Sequence, residues 1–108
     1  MTVKFFAEET GFKVVSIPSP DRCVGGVYIG DLLSWVMGKA DSGNVWITIM
    51  SNINVIAVAT LADASCIVLA EGVTIDEDVT SAAIAKGVNV LSSPLSAYEI
   101  AKQLQSVI

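Results

Sequence analysis

VWITIMSNINVIAVATLADASCIVLA, residues 45–70, decides the fold. VWITIM (45–50) is a run of β-branched, aromatic and aliphatic residues that reads as a strand. SNIN (51–54) introduces VIAVATLADA, which is apolar on nearly every face and predicts a buried helix. SCIVLA (65–70) is a second continuous apolar strand. Two strands apolar on both faces, joined by a helix, indicate a parallel sheet covered on both sides.

Downstream the alternation continues. Thr74 and Glu77 have the spacing of a capping box for a helix running to Lys86, with Gly87 as its stop. VNVLSS (88–93) is another strand, and Ser96 with Glu99 caps a last helix whose inner face carries Ala97, Ile100, Ala101, Leu104 and Ile108. Upstream, Thr2 caps a short helix through about Glu9, with Val3, Phe6 and Ala7 on one face and Gly11 as its stop. FKVVSI (12–17) and GVYI (26–29) are strands separated by the loop PSPDR (18–22). Asp31 is placed to cap DLLSWVMGK, a helix with Leu32, Leu33, Val36 and Met37 as its stripe and Gly38 at its end; ADSGN (40–44) is a turn. The expected architecture is α/β: a three-layer α/β/α single domain over residues 1–108 with a mostly parallel sheet.

Composition narrows the function. Of 108 residues 53% are apolar and only 16% charged, against roughly 25% in an ordinary globular domain. Such a chain has apolar surface to spare, the raw material of a subunit interface. The net charge of −5 and scattered Lys and Arg argue against nucleic acid and a membrane surface. The absence of histidine removes the usual zinc sets and every His-based triad. Cys23 and Cys66 read as reduced, buried thiols of a cytoplasmic protein. The acidic N-terminal stretch MTVKFFAEETG does not read as a signal peptide. Asn52, Asn54, Asp63 and Glu71 interrupt the most apolar region before the roughly 18 apolar residues of a membrane span accumulate.

GGVYIGD (25–31) spaces Gly25 and Gly30 as a phosphate-binding P-loop does, but Asp31 stands where the lysine must neutralise phosphate charge. The intervening VYI reads as strand, and Val27 occupies the second glycine of the dinucleotide fingerprint. The glycines are therefore expected to permit bends around a short strand.

DRCVGGVYIGDLLSWVMGKA (21–40), VWITI (45–49), NVIAVATLADASCIVLAEG (54–72) and VNVLSSPLSAYEIAKQL (88–104), in this order, resemble the DRTGG domain from about Phe12 onward. Asp21 and Arg22 are followed by Cys23 and Val24 before the glycine pair, so the eponymous string is not literal. Domains of this family are similar to the N-terminal domain of HPr kinase and to regulatory segments of CBS-containing pyrophosphatases and phosphotransacetylases. The resemblance implies an α/β fold, self-association and a regulatory role. The kinase label sometimes given to such chains does not carry over, because the phosphate-cradling loop belongs to another domain.

Ligands of an open parallel sheet collect beyond the carboxyl ends of its strands. Candidate ligand residues there are Ser51, Asn52 and Asn54 and, at a second helix start, Ser92 and Ser93; Glu71 and Gly72 end the strand between. The family loop adds Asp21, Arg22, Gly25 and Gly26, with Arg22 supplying a positive charge if its loop reaches the same edge. Each has an ordinary structural role as well: Ser and Asn as caps, Asp21 with Arg22 as a local ion pair, Trp35 and Trp46 as core or interface. Asp21, Asp31 and Glu71 lack a histidine, lysine partner or metal-ligand spacing that would make a catalyst. The expectation is a non-catalytic regulatory module without cofactor, a homodimer that senses a small anionic metabolite or nucleotide. The alternative is a ligand-free interaction subunit docking on a metabolic enzyme.

Overall fold

A computed structural model describes residues 1–108. The elements follow one another as α1 (Val3–Thr10), β1 (Lys13–Ser16), β2 (Val27–Ile29), α2 (Leu33–Lys39), β3 (Val45–Thr48), α3 (Asn54–Leu61), β4 (Cys66–Leu69), α4 (Glu77–Lys86), β5 (Val90–Ser92) and α5 (Ala97–Leu104). The sheet order is β1-β5-β4-β3-β2, parallel throughout except for β1, which pairs antiparallel with β5.

From β2 to β5 the strands advance in one direction. Right-handed crossovers between such neighbours all fall on the same side, and α2, α3 and α4 do share one face of the sheet. α1 and α5 cover the other, which makes the three-layer α/β/α arrangement. The pleat explains the continuous apolar strands. Val45, Ile47, Cys66, Val68 and Leu91 point toward α1 and α5, while Trp46, Ile67, Leu69 and Val90 point toward α2 to α4. Trp46 is fully buried, and its Nε1 donates to the Gly30 carbonyl at 2.8 Å. Truncating it to alanine would cost about 3–5 kcal/mol in cavity and lost transfer energy.

Helix ends follow local chemistry in part. Thr2 Oγ1 accepts from Phe5 N, Ser96 Oγ accepts from Glu99 N, and Gly11 and Gly87 end α1 and α4 in the left-handed conformation. Several expectations are corrected. Asp76, not Thr74, caps α4, accepting from Val79 N at 3.0 Å, because the chain stays extended to residue 76. Asp31 makes no capping bond to α2, whose N-cap is Leu32, and Gly38 lies inside that helix. Leu32 and Met37 of the expected stripe face outward, leaving Val36 as the buried residue of α2, and Trp35, 57% exposed, is not core. α3 is buried only through Val55, Ile56, Val58 and Ala59; one side of it is open because no further layer covers α2 to α4. Ile108 likewise lies past the end of α5 and is half exposed.

Candidate functional site

The chemistry available at the carboxyl edge follows from where the chain goes next. After β4 it turns toward α4 on one face; after β5 it turns toward α5 on the other. Neighbouring connections that part in this way open a crevice between them, the usual ligand position in an α/β sheet. A cleft of about 560 Å³ lies there, lined by residues 10–13, Gly72, Thr74, residues 92–95 and Gln103.

Its walls are stitched by backbone bonds. Glu71 N donates to the Leu95 carbonyl at 2.8 Å and Gly72 N to the Ser93 carbonyl at 2.9 Å. Ser93 Oγ accepts from Leu95 N at 3.1 Å, holding the turn through Pro94. Gln103 Nε2 donates to the Thr10 carbonyl at 2.8 Å, closing α1 against α5. Ser92, Ser93 and Thr74 are among the residues that line this groove, and Lys13 is the one charged residue among them.

Lys13 was not singled out from the sequence. β1 runs antiparallel, so its first residue pairs with Ser92 and lies at the carboxyl ends of the parallel strands. Only that non-local pairing reveals it. Of the sequence-derived candidates, Ser92 and Ser93 line this cleft. Ser51, Asn52 and Asn54 share the edge but sit two strands away at the start of α3, where Asn52 Oδ1 accepts from Asn54 N at 2.9 Å in a local turn. Asp31 Oδ1 accepts from Thr48 Oγ1 at 2.8 Å and from Ile49 N at 3.0 Å, and so fastens the end of β3.

The family loop goes elsewhere. Asp21, Arg22, Gly25 and Gly26 lie at the opposite, amino edge. Gly25 N donates to the Gly43 carbonyl, and the Gly26 carbonyl accepts from Val45 N, both at 2.9 Å. Gly26 has φ +89°, and a Cβ there would come within 3.0 Å of Asn44 Nδ2, so the glycine serves a close backbone approach beside β3. Arg22 does not reach the carboxyl edge and does not pair with Asp21. Its Nη1 lies 3.0 Å from Asp63 Oδ1, and its Nη2 donates to the Asp63 carbonyl at 3.0 Å. The Ser42 hydroxyl also donates to the Asp63 carboxylate; this bond first, and the Arg22 charge second, hold that carboxyl below the usual aspartate range. Buried Asn89 secures the same loop, exchanging bonds with Ser19 at 2.9 and 2.7 Å.

The two thiols differ. Cys66 is buried and burial pushes its pKa up to about 12, whereas Cys23 is exposed beside the loop rather than buried as expected. No three cysteine or carboxylate side chains gather where they could share a metal ion. No helix is long and apolar enough to cross a membrane.

Among solved structures, the chain is similar to the CBS and DRTGG domains of the regulatory region of Clostridium perfringens pyrophosphatase, complexed with its activator diadenosine tetraphosphate. The TM-score is 0.71 at 12% identity, over 91% of this chain and 43% of that one, so this protein spans less than half of its structural neighbour and shares its fold. No curated protein matches the sequence significantly. The sequence pattern of the DRTGG domain matches residues 18–107, from the loop before β2 through α5; Lys13 and the α1–β1 wall of the cleft precede that stretch. The chain therefore belongs to the DRTGG domain family.

Proposed function

We propose that residues 1–108 act as one DRTGG-like regulatory unit of the cytoplasm, without catalysis or cofactor of its own, that pairs as a homodimer and senses a small anionic metabolite or nucleotide. The observation that carries the sensing half is the parting of α4 and α5 over a cleft lined by Ser92, Ser93 and Thr74, with Lys13 as its one charged residue. A cation and several hydroxyls suit a phosphate or carboxylate. That the pyrophosphatase region was crystallised with a dinucleoside polyphosphate activator supports nucleotides as the first class to try.

A ligand bound by the native state alone at one hundred times its Kd stabilises by about 2.7 kcal/mol. For a domain of this size that raises Tm by roughly 10 °C or more. Thermal melts against nucleotides, dinucleoside polyphosphates and phosphorylated metabolites are expected to show such a rise with one class, and Lys13→Glu is expected to abolish it. A flat response across the whole panel removes the sensing half.

The alternative, a ligand-free subunit docking on a metabolic enzyme, draws on α2. Leu32, Trp35 and Met37 are all exposed there, with Lys39 Nζ 4.2 Å from the centre of the Trp35 ring. Co-purification of one enzyme from native cells, lost on Trp35→Ala and indifferent to added nucleotides, would favour this reading over the first.

A further inference from the structure

α3 contains no charged residue, yet its outer side meets nothing: Ile53 is 50% exposed and Leu61 74%. A groove of about 380 Å³ runs between α3 and α4, with Ile53, Ala57 and Leu61 on one wall and Ala82 and Lys86 on the other. Residues four apart in a helix line up on one face. Ile53, Ala57 and Leu61 form such a row, and so do Asp78, Ala82 and Lys86, with Asp78 exposed one turn before Ala82. Each row is symmetric about a central alanine. Bulky apolar groups flank Ala57, and opposite charges flank Ala82.

We propose that a second copy of this chain covers this groove, its α3 and α4 antiparallel to their counterparts about a two-fold axis beside Ala57 and Ala82. The reading rests on the homodimer proposed above and names its interface. α3 and α4 both run from the carboxyl edge of the sheet to its amino edge, so Asp78 and Lys86 stand about 12 Å apart along one direction. An axis that reverses this direction brings each Leu61 over the partner's Ile53 and each Lys86 against the partner's Asp78. The other axis that a face-to-face pair over this groove permits runs along the groove and turns α4 onto the partner's α3. Lys86 would then meet the partner's Leu61 and Asp78 the partner's Ile53, so that each charge would face an apolar side chain without a counter-ion. Charge complementarity selects the first arrangement. Antiparallel helix dipoles favour it too, and alanine at both centres lets the helices approach closely. An isologous interface supplies both complementary charges from one surface.

Sedimentation equilibrium of the full chain tests this. The wild type is expected to dimerise and Ala57→Glu, which puts two like charges at the axis, to be monomeric with an unchanged melting curve at low concentration, since Ala57 is exposed. Asp78→Lys and Lys86→Glu should each weaken the dimer roughly fivefold or more across its two equivalent pairs. The double variant should return to wild-type affinity, because the swapped charges again face one another. A dimer that survives Ala57→Glu but is lost on Ile29→Lys at the open edge of β2 overturns the proposed face and leaves the homodimer standing. A wild type that stays monomeric at high concentration overturns both.

Discussion

Arg22 and Asp63, 41 residues apart in the chain, meet through two contacts of 3.0 Å, one to the carboxylate and one to the backbone carbonyl of Asp63. The same carbonyl accepts from Gly43 N at 2.8 Å, and the Ser42 hydroxyl reaches the carboxylate. Asp63 occupies the left-handed conformation, φ 56°, just past α3. One residue thus ties the end of α3, the turn before β3 and the family loop into a single corner at the amino edge.

The depressed Asp63 carboxyl makes this corner pH-dependent. A carboxylate whose folded pKa lies below its unfolded value contributes stability above the unfolded pKa and loses it as pH falls through the folded one. The contribution should be fully present at pH 6–8 and fade below about pH 4. Both partners are substantially exposed, 37% for Arg22 and 56% for Asp63, so the pair is worth no more than about 1 kcal/mol. Urea midpoints of the wild type and Asp63→Asn, compared from pH 7 to pH 3, should converge in acid. A gap that stays constant would contradict this account.

Asp31 is held in place by what it accepts, not by its charge. Asp31→Ala leaves Thr48 Oγ1 and Ile49 N without their acceptor and should cost about 1–2 kcal/mol. Asp31→Asn keeps a carbonyl oxygen in the same place and should recover most of that loss. Equal losses in the two variants, measured by denaturant unfolding, would show that the negative charge is what counts.

Glu71 is a second residue in the left-handed region, at φ 60°, followed by Gly72 at φ 70°. For a residue with a Cβ this conformation costs roughly 1–2 kcal/mol, against about 0.5–1 kcal/mol of extra unfolded-state entropy for glycine. Glu71→Gly should therefore stabilise by about 0.5–1 kcal/mol in thermal melts, and Glu71→Val should destabilise. A destabilised glycine variant would show that the carboxylate itself contributes at the β4–β5 cleft.

The two thiols should report separately. Exposed Cys23 should react with a thiol reagent in the native protein at pH 8. Cys66, buried and with its pKa near 12, should react only on unfolding in urea. Counting reacted thiols with and without urea checks this: one, then two. Two reacted in the native state would mean that β4 opens readily.

Strands β3, β4 and β5 were legible in VWITIM, SCIVLA and VNVLSS because a strand packed on both faces needs side chains that are apolar in succession. Thr2, Gly11, Gly87 and the Ser96–Glu99 pair were legible because capping is settled within four residues of chain. Thr74 and Asp31 misled for the complementary reason: each has capping chemistry, but the path of the backbone decides which residue stands at the helix end, and Asp76 and Leu32 stand there. Ser92 and Ser93 were readable as strand-end hydroxyls, and the cleft behind them was not.

What the sequence determined by itself is the alternation of fully apolar strands with capped helices, and from it the layered α/β class, since burial on both faces leaves no other use for such strands. Tertiary structure alone decided that β1 turns antiparallel and delivers Lys13 to the carboxyl edge. It also decided that Arg22 lies at the other edge on Asp63, and that one side of α3 stays uncovered. These are pairings across tens of residues, set by which strands lie side by side and which face each crossover takes, and no local pattern of residues encodes them.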